Sequence, residues 1–128
     1  MKNIDSLKNT SQFKEVYENG ISCANSILVL YVYSNGGTGK KIGISVSRKV
    51  GNSVVRHRIT RLIRESYLKM QKEIPEGYSL VIIARPSASG KTFSDIYGAL
   101  LSLKEKVFKK VQKKEYEKKD QHNVDSTN

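Results

Sequence analysis

Apolar and polar positions repeat with a period of two in three stretches of this chain and with a period near 3.6 in three others. Over residues 24–34, Ile27, Val29, Tyr31 and Tyr33 point one way and Leu28, Leu30 and Val32 the other. Both faces are apolar, which predicts a strand that is central or covered on both sides. Further on, Ile42, Ile44 and Val46 alternate with Gly43, Ser45 and Ser47, the pattern of a strand with one apolar face. Residues 78–84 predict a third strand, with Leu80 and Ile82 on one side and Val81 and Ile83 on the other. Asn35-Gly36-Gly37-Thr38-Gly39 reads as a flexible turn, so the first two strands are expected to form a hairpin.

The helical stretches are as distinct. Phe13, Val16 and Tyr17 share one face of a short helix, with Thr10 as its cap and Gly20 as its stop. From Ser53 the period changes, and Val55, Ile59, Leu62, Ile63, Ser66 and Met70 form a narrow apolar stripe. Asn52 or Ser53 can cap that helix, and Ile74-Pro75-Glu76-Gly77 ends it. A last helix is expected over about 93–111, marked by Phe93, Ile96, Tyr97, Leu100, Val107 and Val111. The predicted architecture is a two-layer α/β (α+β) sandwich, a small central sheet with helices in the order α-β-β-α-β-α. A chain of 128 residues is one domain on size. That domain is assigned to 1–115, and residues 116–128, nearly devoid of apolar side chains, to a disordered charged tail.

Charge changes the picture. The formal net charge is +11 at pH 7, and residues 40–72 carry almost all of it: ten Lys and Arg against the single acid Glu65. A concentration of that kind faces a polyanion. At 100° per residue, His57, Arg61 and Arg64 lie opposite the apolar stripe, while Arg56 and Arg58 flank it. Arg48 and Lys49 precede the helix, whose first amides would add a phosphate site beside them. Nucleic acid is favoured over an anionic membrane surface, because Trp is absent and the arginines are regularly spaced beside a strand. The lone Cys23 points to a reducing compartment. The longest apolar run, 27–33, is too short to span a bilayer. A cytoplasmic location is expected.

Candidate chemistry is sparse. His57 has no acid three or four residues away, His122 lies in the tail, and no acids have metal-ligand or acid–base spacing. Gly90-Lys91-Thr92 resembles the end of a phosphate loop, but Arg85 stands where that motif needs its first glycine. Catalysis by this chain alone is therefore disfavoured. RNA is preferred to DNA, since neither a helix-turn-helix pair nor a zinc site accompanies the basic helix. Phe13, Tyr17 and Tyr31 either pack on the sheet or line a groove where unpaired bases stack.

The run from Ser45 through Arg48-Lys49-Val50-Gly51-Asn52 and Arg56-His57-Arg58 to Arg61-Leu62-Ile63-Arg64-Glu65 closely resembles the signature of the bacterial ribonuclease P protein subunit. That pattern has Gly-Asn, Arg-Asn-Arg and then Arg-Leu-hydrophobic-Arg, so His57 replaces the usual Asn. Phe13-Lys14-Glu15-Val16-Tyr17 with Gly20, Leu28-Val29-Leu30-Tyr31 and Ile82-Ile83-Ala84-Arg85-Pro86 are similar to its first helix, first strand and third strand. The likeness covers about residues 8–112. It implies a left-handed βαβ crossover around the basic helix. It implies that a partner, the ribonuclease P RNA, cleaves the 5′ leader from precursor tRNA with Mg2+ held mainly by that RNA and the substrate. Arg48, Lys49, Asn52, Arg56, His57, Arg58, Arg61 and Arg64 would contact the catalytic RNA, and Phe13, Tyr17 and Tyr31 the leader. No catalytic or metal-ligating residue, membrane or further protein partner is expected of this chain. The alternatives are a non-catalytic structured-RNA-binding protein, such as a ribosome-associated factor, and a stand-alone nuclease.

Overall fold

The computed structural model describes residues 5–37 and 39–127, with side chains described as far as Glu117. Five strands, β1 (Asp5–Ser6), β2 (Ile21–Ala24), β3 (Leu28–Ser34), β4 (Lys40–Ser45) and β5 (Tyr78–Ala84), form one sheet in the order β1-β4-β5-β3-β2. Three α-helices, α1 (Thr10–Asn19), α2 (Ser53–Met70) and α3 (Phe93–Thr127), flank it. This is the sandwich predicted from the pattern, with two edge strands that the pattern did not show. Both are too short to display a period, at two and four residues.

The expected hairpin between the first two long strands does not form. Strand β5 lies between them, antiparallel to β3 and parallel to β4. The reason is burial. Residues 80–82 of β5 are wholly inaccessible, and a strand apolar on both faces is best satisfied in the middle of the sheet. The turn over 35–39, of which Thr38 lies outside the described residues, instead packs beside the loop before β5. Asn35 N–H donates to Gly77 O and Gly77 N–H to Gly39 O. The unit β4–α2–β5 is thus a crossover between parallel neighbours.

The main core lies between one sheet face and the α2–α3 layer. Leu28, Leu30 and Val32 of β3, with Leu80 and Ile82 of β5, meet Ile59, Ile63 and Met70 of α2 and Ile96, Leu100 and Leu103 of α3. Tyr67 is buried there too, on the stripe of α2. Ser66 lies on the same stripe at no cost in unmet polarity, because its hydroxyl donates to Leu62 O at 2.7 Å. Helix α1 rests on the opposite sheet face, where Val16 and Val81 are buried outside the main core.

Capping explains the helix limits. Asn9, one residue before the expected Thr10, caps α1 by accepting from Gln12 N–H. Asn52 caps α2 by accepting from Val55 N–H. Thr92 and Asp95 cap α3 reciprocally: Asp95 N–H donates to Thr92 Oγ1, and Thr92 N–H donates to the Asp95 carboxylate. Those bonds hold the Asp95 carboxyl below its ordinary range. The GKT segment is therefore a loop and helix start. Helix α3 continues past Val111, the last buried position among the described side chains, to Thr127. Its Lys-, Glu- and Gln-rich continuation has neither Gly nor Pro to stop it. Side chains of the charged stretch 118–128 lie outside the described residues.

Candidate nucleic-acid interface

Helix α2 turns one face to the core and one to solvent. His57, Arg58 and Arg61 are exposed, Arg56 and Arg64 half-buried, and Arg48 and Lys49 stand exposed in the turn before the helix. Buried Val50 pins that turn, and Val50 N–H donates to Ser47 O. His57, Arg58, Arg61 and Arg64 frame one shallow hollow together with Val54, which is 76% exposed. Among the described residues, Arg48, Lys49, Arg56 and Arg64 have no carboxylate at ion-pair distance, and Arg61 meets Glu65 only at 3.9 Å. Positive charge left unpaired on one helix face is a surface for phosphates.

Not every cation in the basic run is free for that role. Lys40 donates to Gln71 O at 2.8 Å, closing the end of α2. Lys69 lies 4.7 Å from the centroid of the Tyr97 ring on α3. The Arg58 guanidinium donates to Lys91 O at 2.9 Å, tying α2 to the loop before α3 while leaving other N–H groups exposed. Asn52 spends its side-chain oxygen on the helix cap, so only its amide N–H2 remains for a ligand. The same cap occupies one of the first amides of α2, which narrows the phosphate site expected there.

The aromatic candidates come together on the other sheet face. Phe13 and Tyr17, one turn apart on α1, have ring centroids 6.3 Å apart, and Tyr17 meets Tyr31 of β3 edge-on at 5.1 Å. Strand register places Gly43, Val81, Tyr31 and Ser22 in one row across the sheet beneath α1. The next row, Ser45, Ile83 and Val29, is only partly buried, so the face stays open beside the helix. Burial and the neighbouring Tyr31 push the Tyr17 phenol above its ordinary range. A hollow of about 190 Å³ is lined by Phe13 and Gly43 on one side and Thr60 and Arg64 on the other. The aromatic cleft and the cationic helix are therefore contiguous.

A sequence model of the family described as Ribonuclease P matches residues 1–115. The ribonuclease P protein component of Lachnoclostridium phytofermentans is 54% identical over 99 residues, covering 77% of this chain and 85% of that protein. The chain belongs to the bacterial ribonuclease P protein family. The Staphylococcus aureus RNase P protein, solved at 2.0 Å, superposes with a TM-score of 0.69 at 34% identity, covering 83% of this chain and 94% of that one. The RNase P protein from Thermotoga maritima gives 0.69 at 27% identity, covering 77% and 93%. At this level the function is that of the protein component of ribonuclease P, acting with the catalytic RNA on precursor tRNA. It is one subunit of a ribonucleoprotein enzyme whose catalysis resides in the RNA.

For a ribonuclease P protein, several features gain meaning. Among the described residues no three His, Cys, Asp or Glu side chains come together. No described helix is long and apolar enough to cross a membrane. His57, standing where the family pattern has Asn, remains on the exposed cationic face. Sequence reasoning missed Val29, Ser45 and Ile83 as cleft-floor positions. Their signal was the alternation itself, which put Val29 on the same side as Tyr31 and Ser45 beside Gly43. The partner row became visible only with the register.

Proposed function

We propose that the cationic face of α2 binds the ribonuclease P RNA through Arg48, Lys49, Arg56, His57, Arg58, Arg61 and Arg64, with Asn52 holding the helix start. Phe13, Tyr17 and Tyr31 hold the single-stranded 5′ leader of precursor tRNA. The observation that carries this reading is the contiguity of the two surfaces across the hollow between Phe13 and Arg64. One small domain of net charge +11 can thus touch a structured RNA and an unpaired strand at once.

Both RNA partners are polyanions that repel each other. A cationic domain between them replaces condensed counterions, which raises affinity for precursor and lowers the magnesium required. Stacking on the leader adds affinity that mature tRNA cannot gain. The magnesium ions are held mainly by the RNA and substrate, the complex works in the cytoplasm, and no other protein is required.

The test is precursor tRNA cleavage at low magnesium by a bacterial ribonuclease P RNA, with and without this chain, beside a protein-only control. RNA-dependent stimulation with a silent control is expected. Tight RNA binding without stimulation would favour a non-catalytic RNA-binding protein, and cleavage by the protein alone would revive a nuclease.

A further inference from the structure

Gly43 occupies the middle of β4, paired with Val81 in the parallel ladder. Its backbone does not need a glycine, since it is absent from the positive-φ positions. Glycine inside a strand weakens it, and where no special dihedral is required it marks the close approach of another group. Here that group is Phe13. A Cβ built on Gly43 would lie 2.5 Å from both Cε1 and Cζ of the Phe13 ring, and 3.1 Å from Cδ1 of Leu7. Ordinary carbon–carbon contact is about 3.5–4.0 Å, so a methyl group would move the ring by roughly 1 Å or more.

The row across the sheet shows what this accomplishes. Gly43, Val81 and Tyr31 lie side by side under α1, with side chains increasing from none to a full aromatic ring. Phe13 sits down on the bare backbone at one end, while Tyr17 meets the upright Tyr31 ring at the other. The far end of α1 also comes close to the sheet. Gly20 N–H donates to Val16 O, and a Cβ on Gly20 would lie 2.9 Å from Val32 O. At Gly43 the ring of Phe13 is the group nearest to an added side chain, so it is the first to be displaced.

We infer that Gly43 is a positioning residue of the leader cleft: its missing side chain is the seat that sets the depth and orientation of Phe13. This rests on the reading of Phe13 as a leader contact. Gly43 acts through the ring. Leu7 is the flexible end of a side chain and yields; the half-buried Phe13 ring, met at Cε1 and Cζ, is pushed toward the cleft.

The experiment is a double-mutant cycle in the reconstituted holoenzyme, with dissociation constants for leader-bearing precursor and for mature tRNA measured on Gly43→Ala, Phe13→Ala and the double variant. Affinity of each variant for the catalytic RNA is the assembly control. Gly43→Ala is expected to weaken precursor about tenfold, within the range of one lost stack, with mature tRNA and catalytic RNA unaffected. The double variant should bind no worse than Phe13→Ala, because the clash disappears with the ring. Additive losses, or equal losses on precursor and mature tRNA, would overturn the assignment. A harmful Phe13→Ala beside a harmless Gly43→Ala would overturn it while leaving the leader reading intact. A harmless Phe13→Ala would overturn both. Should Gly43→Ala fail to fold, the unfolding midpoint of the double variant decides: recovery upholds the seat, and no recovery refutes it.

Discussion

The cationic face of α2 and the cleft beneath α1 are built from different numbers of chain segments. The helix face comes from one run of residues, and its arginines are placed by the 3.6-residue period alone once Asn52 starts the helix. The cleft needs α1, β3, β4 and β5 brought into register, and its key distances depend on side chains far apart in sequence. A single-segment site tolerates loss of one member, since the remaining charges still form a continuous field. A site assembled from several segments, in which each ring leans on the next, loses its shape when one member changes.

That contrast can be broken most sharply in the cleft. Phe13→Ala or Tyr17→Ala should weaken leader-bearing precursor by roughly 1–3 kcal/mol and leave mature tRNA unchanged. Direct binding of both ligands to the holoenzyme reads this, and equal losses would remove the cleft from leader recognition. On the helix, Arg64→Ala should weaken the catalytic RNA and lower the slope of log affinity against log salt by about one unit. A salt titration that leaves the slope unchanged would show that Arg64 touches no phosphate.

Smaller effects sharpen the comparison. Asn52→Ala removes the cap of α2 and should lower stability by about 1 kcal/mol while preserving the preference for precursor over mature tRNA. Chemical denaturation measures the first quantity and the ligand pair the second; a lost preference would mean the two regions are mechanically coupled. Glu65→Gln should change affinity for catalytic RNA by less than about threefold, because exposed ion pairs such as Arg61–Glu65 contribute little. A larger gain would show that Glu65 restrains Arg61 in the free protein.

Much of the fold was legible in the residues. The three long strands, the three helices, the cap at Asn52 and the basic face all follow from local period and end signals, which act within a few residues. Capping shifted by only one position at α1, where Asn9 rather than Thr10 accepts from Gln12 N–H. The pairing order was not legible. A turn rich in glycine favours a hairpin locally, but burying both faces of β5 brings it between β3 and β4. The short β1 and β2 left no periodic trace.

The site divides along the same line. The chain by itself determined that residues 40–72 carry almost all of the net positive charge, that His57, Arg61 and Arg64 lie opposite the apolar stripe, and that the motif is that of the ribonuclease P protein family. Charge and helical period are properties of neighbours in sequence, so they survive without knowledge of the fold. Only the tertiary structure decided which cations are engaged elsewhere, as Lys40 and Lys69 are, and that Phe13, Tyr17 and Tyr31 form one cluster. It alone turned Gly43 from an unremarkable polar-face position into the point where α1 comes down on the sheet. Close packing between distant segments sets those distances, and no local pattern encodes them.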